Sequence, residues 1–410
     1  MDAEKDTGTS GETGSGEARS TAEPHVPRTA CLIGESALEI WFATPEDRLQ
    51  RSFTAAGVNR FVREADLASQ NVPTILVRAD AVIDTPLIGA LLAAPGSVLL
   101  SNGAEARVPL AVHAPAGLAE AGAAVLRAGQ TAGQATEIPD GLRAVRGTEL
   151  GASYWEALRK REEPYALLPG PDTLAQAEWR MFMGTYKGAT DLVTKWAWPK
   201  PAFHVTKLCA RLGISPNQVT AVSLVAVIAA FYWFWEGNWL PGLLAAWLMT
   251  FLDTVDGKLA RITLRSSKFG NVFDHSIDLI HPPFWYLAWG IGLQRGPHAI
   301  EPAELTLVLT VIVAGYVLQR AIEGIAIWRL GLEIHIWRRI DTWFRLVTAR
   351  RNPNLLLLTL AAAAGRPDLG LVAVALWTAV CLLLHALQLL QALQAARKAG
   401  PLRSWMTEPQ

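Results

Sequence analysis

From about residue 215 onward the chain is a series of long apolar runs broken by short basic loops. Crossing a bilayer takes ~20 apolar residues per helix, with every backbone polar group paired inside the segment. Runs that meet this lie near 218–236, 239–260, 271–293, 305–328, 353–366 and 370–394. The fifth is the shortest and needs Asn352, Pro353 and Asn354 to reach across. Basic residues gather before the first run (Lys207, Arg211), between the second and third (Lys258, Arg261, Arg265, Lys268) and between the fourth and fifth (Arg329, Arg338, Arg339, Arg345, Arg350, Arg351). They recur after the sixth (Arg397, Lys398, Arg403), whereas the other loops carry only Arg295 and Arg366. The excess of Lys and Arg on cytoplasmic loops then puts both termini in the cytoplasm. The expected fold is an α-helical polytopic membrane domain of about six transmembrane helices, over 214–396, with a cytoplasmic tail at 397–410. In a bacterium the membrane would be the inner one.

The first half is of another kind. Residues 1–28 are Gly, Ser, Thr, Glu and Ala with almost nothing apolar, which reads as a disordered tail. They lack the apolar stretch of a signal peptide. Residues 29–165 alternate short strand patterns (from Thr29, Thr74, Ser97 and Val108) with helical ones (from Pro45, Pro86 and Leu118). That alternation predicts a soluble α/β domain with a mostly parallel sheet. Residues 166–194 read as a Pro/Gly linker, and 195–213 as an amphipathic helix lying at the membrane surface, where Lys195, Lys200, Lys207 and Arg211 interleave with Trp196, Trp198, Phe203 and Leu208. Lys plus Arg equals Asp plus Glu at 37 each, so there is no basic excess for nucleic acid. Cys31, Cys209 and Cys381 are too scattered for a disulfide framework or a zinc site.

The stretch from Asp253 to Asp278 carries the chemistry. Asp253 and Asp256 are three apart and Asp274 and Asp278 four apart, so each pair shares a helix face. Four carboxylates beside a membrane are costly unless something positive binds them, and a hard divalent cation takes oxygen ligands. Gly257, Ala260 and Gly270 are small enough to let a ligand approach the backbone, and Lys258 and Arg261 offer charge to phosphates. A solvated acidic loop is the plainer alternative, but it does not account for two pairs at helical spacing that run into apolar helices.

The order D-x2-D-G-x2-A-R-x8-G-x3-D-x3-D resembles the signature of the CDP-alcohol phosphotransferase family. Asp253, Asp256, Gly257, Ala260, Arg261, Gly270, Asp274 and Asp278 occupy its positions without a gap. Ser215-Pro-Asn-Gln-Val-Thr220 resembles a second element of the same family; Ser215 suits a helix N-cap and Pro216 the first helical position. The resemblance covers about 185–395. It implies metal-dependent transfer of a substituted phosphate from a CDP-linked alcohol or lipid to an acceptor hydroxyl, with release of CMP. It implies Mg²⁺ (or Mn²⁺), two ions, held by Asp253, Asp256 and Asp274 with a share from Asp278, which is also the base candidate. Gly257, Ala260, Arg261 and Gly270 would face the donor. His275 and Lys258 are accessory candidates, with a hydrogen-bonded structural role open for His275 and a lipid-facing position open for Lys258. Asp-His-Ser-Ile-Asp resembles the choline and ethanolamine branch, and Leu279 stands where inositol-phosphate relatives more often place Arg. Glu323, Glu333, His335, Arg338 and Arg339 could line an acceptor pocket or form a solvated loop. Membrane lipids are expected partners, nucleic acid is not, and a homodimer is allowed.

Residues 29–165 are faintly similar to the sugar-nucleotidyltransferase fold, with Arg78-Ala79-Asp80 where that fold keeps a metal-binding acid. The segment from Cys31 to Ile40 has one Gly and no basic residue, so the phosphate cradle of that fold is missing. A degenerate structural or regulatory domain is therefore expected. Alternatives are a bifunctional enzyme that makes its own CDP-alcohol, and a membrane scaffold with a relic site.

Overall fold

The computed structural model describes residues 28–102, 107–130, 137–151 and 153–407. The expected disordered tail lies outside them except for Arg28. In chain order the first domain runs β1 (Arg28–Ile33), α1 (Pro45–Ala55), β2 (Val58–Phe61), β3 (Thr74–Arg78), β4 (Val82–Ile83), α2 (Thr85–Leu92), β5 (Ser97–Leu100), β6 (Pro109–Ala114), α3 (Ala119–Ala128) and β7 (Arg143–Val145). Three two-residue strands follow: β8 (Tyr154–Trp155), β9 (Lys160–Arg161) and β10 (Ala166–Leu167). The main sheet has the order β2-β1-β3-β6-β5-β7. β1 is parallel to β2 and β3, and β5 to β7, but β6 runs antiparallel to both of its neighbours. The expected mostly parallel sheet is thus interrupted by one reversed central strand. β3 and β6 are buried along their whole lengths, as strands covered on both faces must be. Leu49 and Phe53 of α1 and Leu87, Ile88 and Leu91 of α2 pack on one face; Ala123 and Leu126 of α3 pack on the other with Leu76 and Val112.

The stretch expected as a linker contains a helix, α4 (Leu174–Gly184). Ala177, Met181 and Phe182 are buried along it at helical spacing, which outweighs the Pro and Gly just before it. A π-helical turn at Val193–Ala197 leads into α5 (Pro199–Arg211). Trp41, in a tight turn with φ of 53°, stacks on Phe182 with ring centres 6.0 Å apart and meets the edge of Phe203 at 5.5 Å. The two halves of the chain therefore share a core, which also includes Val82, Val255, Leu259 and Ile262.

The second half is helical: α6 (Pro216–Trp235), α7 (Trp239–Ile262), α8 (Lys268–Leu293), α9 (Pro302–Leu330), α10 (Arg339–Arg345), α11 (Arg351–Ala363) and α12 (Pro367–Ala399). α6 begins with the expected cap: Ser215 Oγ accepts from Gln218 N at 3.3 Å, and Gln218 Oε1 accepts from Ser215 N at 2.8 Å. Among the described residues three helices, α6, α9 and α12, are long and apolar enough to cross a membrane on their own. α7 and α8 fall short because they carry the signature acids, and α11 has only 13 residues. Side chains such as Val225, Leu244, Leu307 and Leu383 are exposed along these helices, a pattern suited to lipid rather than water.

Candidate active site

The turn between α7 and α8 folds the two acid pairs toward one another. Ser267 Oγ caps α8 by accepting from Gly270 N at 2.9 Å. One carboxylate oxygen each from Asp253, Asp256 and Asp274 then lies within 4.8 Å of the others. Thr220 of α6 sets the orientation of Asp256 by donating to its Oδ2 at 2.5 Å. The other oxygen, Oδ1, is buried without a hydrogen-bond partner among the described residues. An orphaned buried carboxylate oxygen is expensive, and beside two more carboxylates it calls for a cation. Three hard oxygen donors at this spacing suit Mg²⁺ or Mn²⁺, so the residues present fit the expected metal.

Asp278 stands outside this triangle. It is joined to it by Arg351, at the start of α11, whose Nη1 pairs with Asp278 and Nη2 with Asp253. A forked guanidinium thus fixes the separation of the fourth acid from the first. Sequence reading named Thr220 only as the end of the second family element and Arg351 only as a topology charge, so neither was read as a site residue.

The remaining candidates divide. Arg261 Nε donates to Thr185 O at 3.1 Å, and a side chain on Gly257 would meet the Arg261 guanidinium at 2.9 Å. Ala260 is half-buried beside it. Lys258 does not face lipid: it is 4% exposed, with its ammonium 3.6 Å from the centre of the Tyr186 ring. Lys187, not singled out in the sequence, reaches the electrostatic neighbourhood of Asp253 and Asp278 from the segment after α4. Gly270 does not open a path for a ligand; a Cβ there would strike the Asn217 amide and sit 3.0 Å from Ser267 Oγ, so its smallness serves packing on α6. His275 is exposed, with Nδ1 2.9 Å from Asn271 O. Nδ1 of His275 also lies 3.9 Å from Asp274 Oδ2, and Leu279 is 54% exposed.

A second polar cluster lies across α9 and the loop after it. Glu323 accepts from Arg320 at 2.6 Å and from Arg350, and lies 3.1 Å from His335 Nε2. Arg345 and His385 border it, and Arg320 Nε, Arg345 Nη1, Arg350 Nε and His335 Nδ1 are buried without partners among the described residues. Three guanidiniums around one carboxylate leave positive charge over. The other proposed acceptor residues go elsewhere: Glu333 pairs with Arg159, Arg338 with Asp341, and Arg339 lies over Trp405.

The helical bundle thus brings acids from the ends of two helices together, with a small-residue and arginine motif between them. Residues 213–349, about a third of the chain, match the CDP-alcohol phosphatidyltransferase family. With the three apolar helices, this makes it an integral membrane protein. Over 80 residues it is 39% identical to the archaetidylinositol phosphate synthase of Pyrococcus horikoshii, covering 19% of this chain and 42% of that protein. Over 114 residues it is 30% identical to the phosphatidylinositol phosphate synthase of Mycobacterium marinum, covering 27% and 49%. The chain thus spans just under half the length of these relatives. A crystal structure of the Mycobacterium tuberculosis phosphatidylinositol phosphate synthase with CDP-DAG bound aligns at 16% identity and a TM-score of 0.38, covering 46% of this chain and 94% of that one; another, with manganese and citrate, aligns at 17% and 0.37, covering 45% and 87%.

Proposed function

We propose that the protein transfers a substituted phosphate from a CDP-linked lipid to a hydroxyl of a phosphorylated polyol, an inositol phosphate by analogy with the named relatives, releasing CMP. The observation that carries this reading is the convergence of Asp253, Asp256 and Asp274 in one triangle with Asp278 held next to it by Arg351. Divalent metal on the triangle, two ions if Asp278 takes a share, would neutralise the diphosphate and polarise the phosphorus under attack. Thr220 keeps Asp256 aimed at that position. Arg261, Lys258 and Lys187 supply charge for the donor phosphates. Asp278 accepts the proton of the attacking hydroxyl, and Arg351 fixes the direction from which it does so. The surplus positive charge around Glu323 suits the phosphate of the acceptor, with Arg320 and Arg350 as the nearest donors.

α6 to α9, α11 and α12 would make six crossings, with the site at the cytoplasmic end. Packing of the α/β domain on the end of α7 supports this, because Arg48 of α1 donates to Ile262 O at 2.7 Å and the two must share one side of the membrane. Exposed Trp196, Leu208 and Leu212 would set the approach to α5 and its C-terminal end into the interface. The α/β domain serves as a structural partner: Asp80 is paired with Arg78 at 2.7 Å. Turnover and binding of two variants test the reading. Asp278→Asn is expected to lower CMP release by ~10²–10⁴-fold while donor binding stays within a few-fold of wild type. Asp256→Ala is expected to lose Mg²⁺-dependent donor binding. Near-normal turnover in the first, or unchanged Mg²⁺-dependent binding in the second, would overturn the assignment.

A further inference from the structure

Between the α/β domain and the cytoplasmic end of α7 lies a cavity of about 50 Å³ that the proposed reaction does not use. Arg48 and Ser52 of α1, Asp84 and Tyr165 line one side; Thr185 and Arg261 line the other. Each arginine spends one N–H on a backbone carbonyl, Arg48 on Ile262 O at 2.7 Å and Arg261 on Thr185 O at 3.1 Å. Neither forms an ion pair among the described residues. Two guanidiniums therefore reach one small recess with most of their donors still to place.

Size narrows the ligand. One water needs ~10–15 Å³ by this kind of measure, so the cavity takes a few waters or one tetrahedral oxyanion, and a nucleotide does not fit. We propose that the cavity binds a single phosphate group, free or at the end of a phosphomonoester, between Arg48 and Arg261, and that the bound group holds Arg261 against the α/β domain. Burial pushes the Asp84 carboxyl up to about 6, so it holds its proton more readily and opposes an anion in the cavity less than an ordinary carboxylate does. Because Arg261 is also read as a donor-phosphate residue, occupancy would weaken donor binding. The α/β domain would thereby report phosphate or phosphomonoester levels to the catalytic end of α7. This coupling rests on the proposed role of Arg261; the binding site itself does not.

Calorimetric titration of the full-length protein in detergent with inorganic phosphate, and separately with glycerol phosphate, tests the site. The expected result is saturable binding of at least one of them, weakened at least tenfold by Arg48→Met and also by Ser52→Phe, which fills the cavity without touching a charge. Whichever ligand loses affinity in the variants identifies the source of the phosphate group. No binding to wild type, or binding that both variants retain, would overturn the proposal. In the kinetic arm the same ligand is expected to raise the KM for the CDP-linked donor in wild type and not in Arg48→Met; an unmoved KM would sink the coupling. Arg48-dependent binding in a protein that releases no CMP would sink the catalytic reading and uphold the anion site.

Discussion

Asp256 shows most clearly how single residues define this site. Thr220 satisfies one of its oxygens and the other is left buried without a partner, a cost that a structural acid would not carry. Arg351 acts in the opposite sense, satisfying Asp253 and Asp278 together. The eight signature positions were legible because they fall within one short stretch at helical spacing. Thr220 and Arg351 were not, because they come from α6 and α11 and only tertiary packing brings them in. What covers Gly270 and Lys258, Asn217 and Tyr186 respectively, was not legible, since spacing tells the face of a helix and not what covers it. Asp84 offers a separate test outside the membrane. Its carboxyl is raised to about 6 by burial, against an ordinary value near 3.8, so the folded state binds this proton more tightly than the unfolded one. Its contribution to stability is present below about pH 4 and lost as pH rises to about 6. Asp84→Asn is expected to flatten this part of the profile and raise stability at pH 8 by up to about 3 kcal/mol. A thermal-unfolding series from pH 4 to 8 with no difference from wild type would refute it.

At the level of elements, the ends of the helices were easier to read than their membrane status. The Ser215 cap and the start of α1 appear where the sequence places them, because caps depend on local hydrogen bonds. The expected count of six crossings came from hydropathy, yet among the described residues only α6, α9 and α12 meet length and composition by themselves. Polar residues needed for the site dilute α7 and α8, and their place in the bundle depends on neighbours. The α6–α8 crossing shows how tightly. A Cβ on Gly292 would run into Phe234 O and lie 2.9 Å from Gly237 N, a backbone contact that cannot yield as a side chain does. Gly292→Ala is expected to destabilise the bundle by ~1–3 kcal/mol and to lower its melting temperature in detergent. An unchanged melting temperature would mean that the crossing is looser than described. The reversed strand β6 was invisible in the sequence, since a buried strand carries the same apolar run in either direction.

Across the whole molecule, the two halves are one packed body through Trp41, Phe182, Phe203 and the end of α7. The stretch read as a linker is part of that body, because its apolar face was masked by the Pro and Gly that precede it. Trp41→Ala is expected to cost ~3–5 kcal/mol at this junction and to expose the segment around α4 to protease. A digestion pattern identical to wild type would show that the domains are held by other contacts. The central claim, that the acid cluster transfers a phosphate-linked lipid with release of CMP, is tested most directly by the purified protein itself. CMP release is measured in detergent with Mg²⁺, with CDP-diacylglycerol or soluble CDP-alcohols as donor and inositol phosphate, inositol, choline or glycerol phosphate as acceptor. The expected result is release that requires the lipid donor, the metal and a phosphorylated polyol together. Release that is indifferent to the acceptor's phosphate would contradict the acceptor reading, and no release from any donor would contradict the account as a whole.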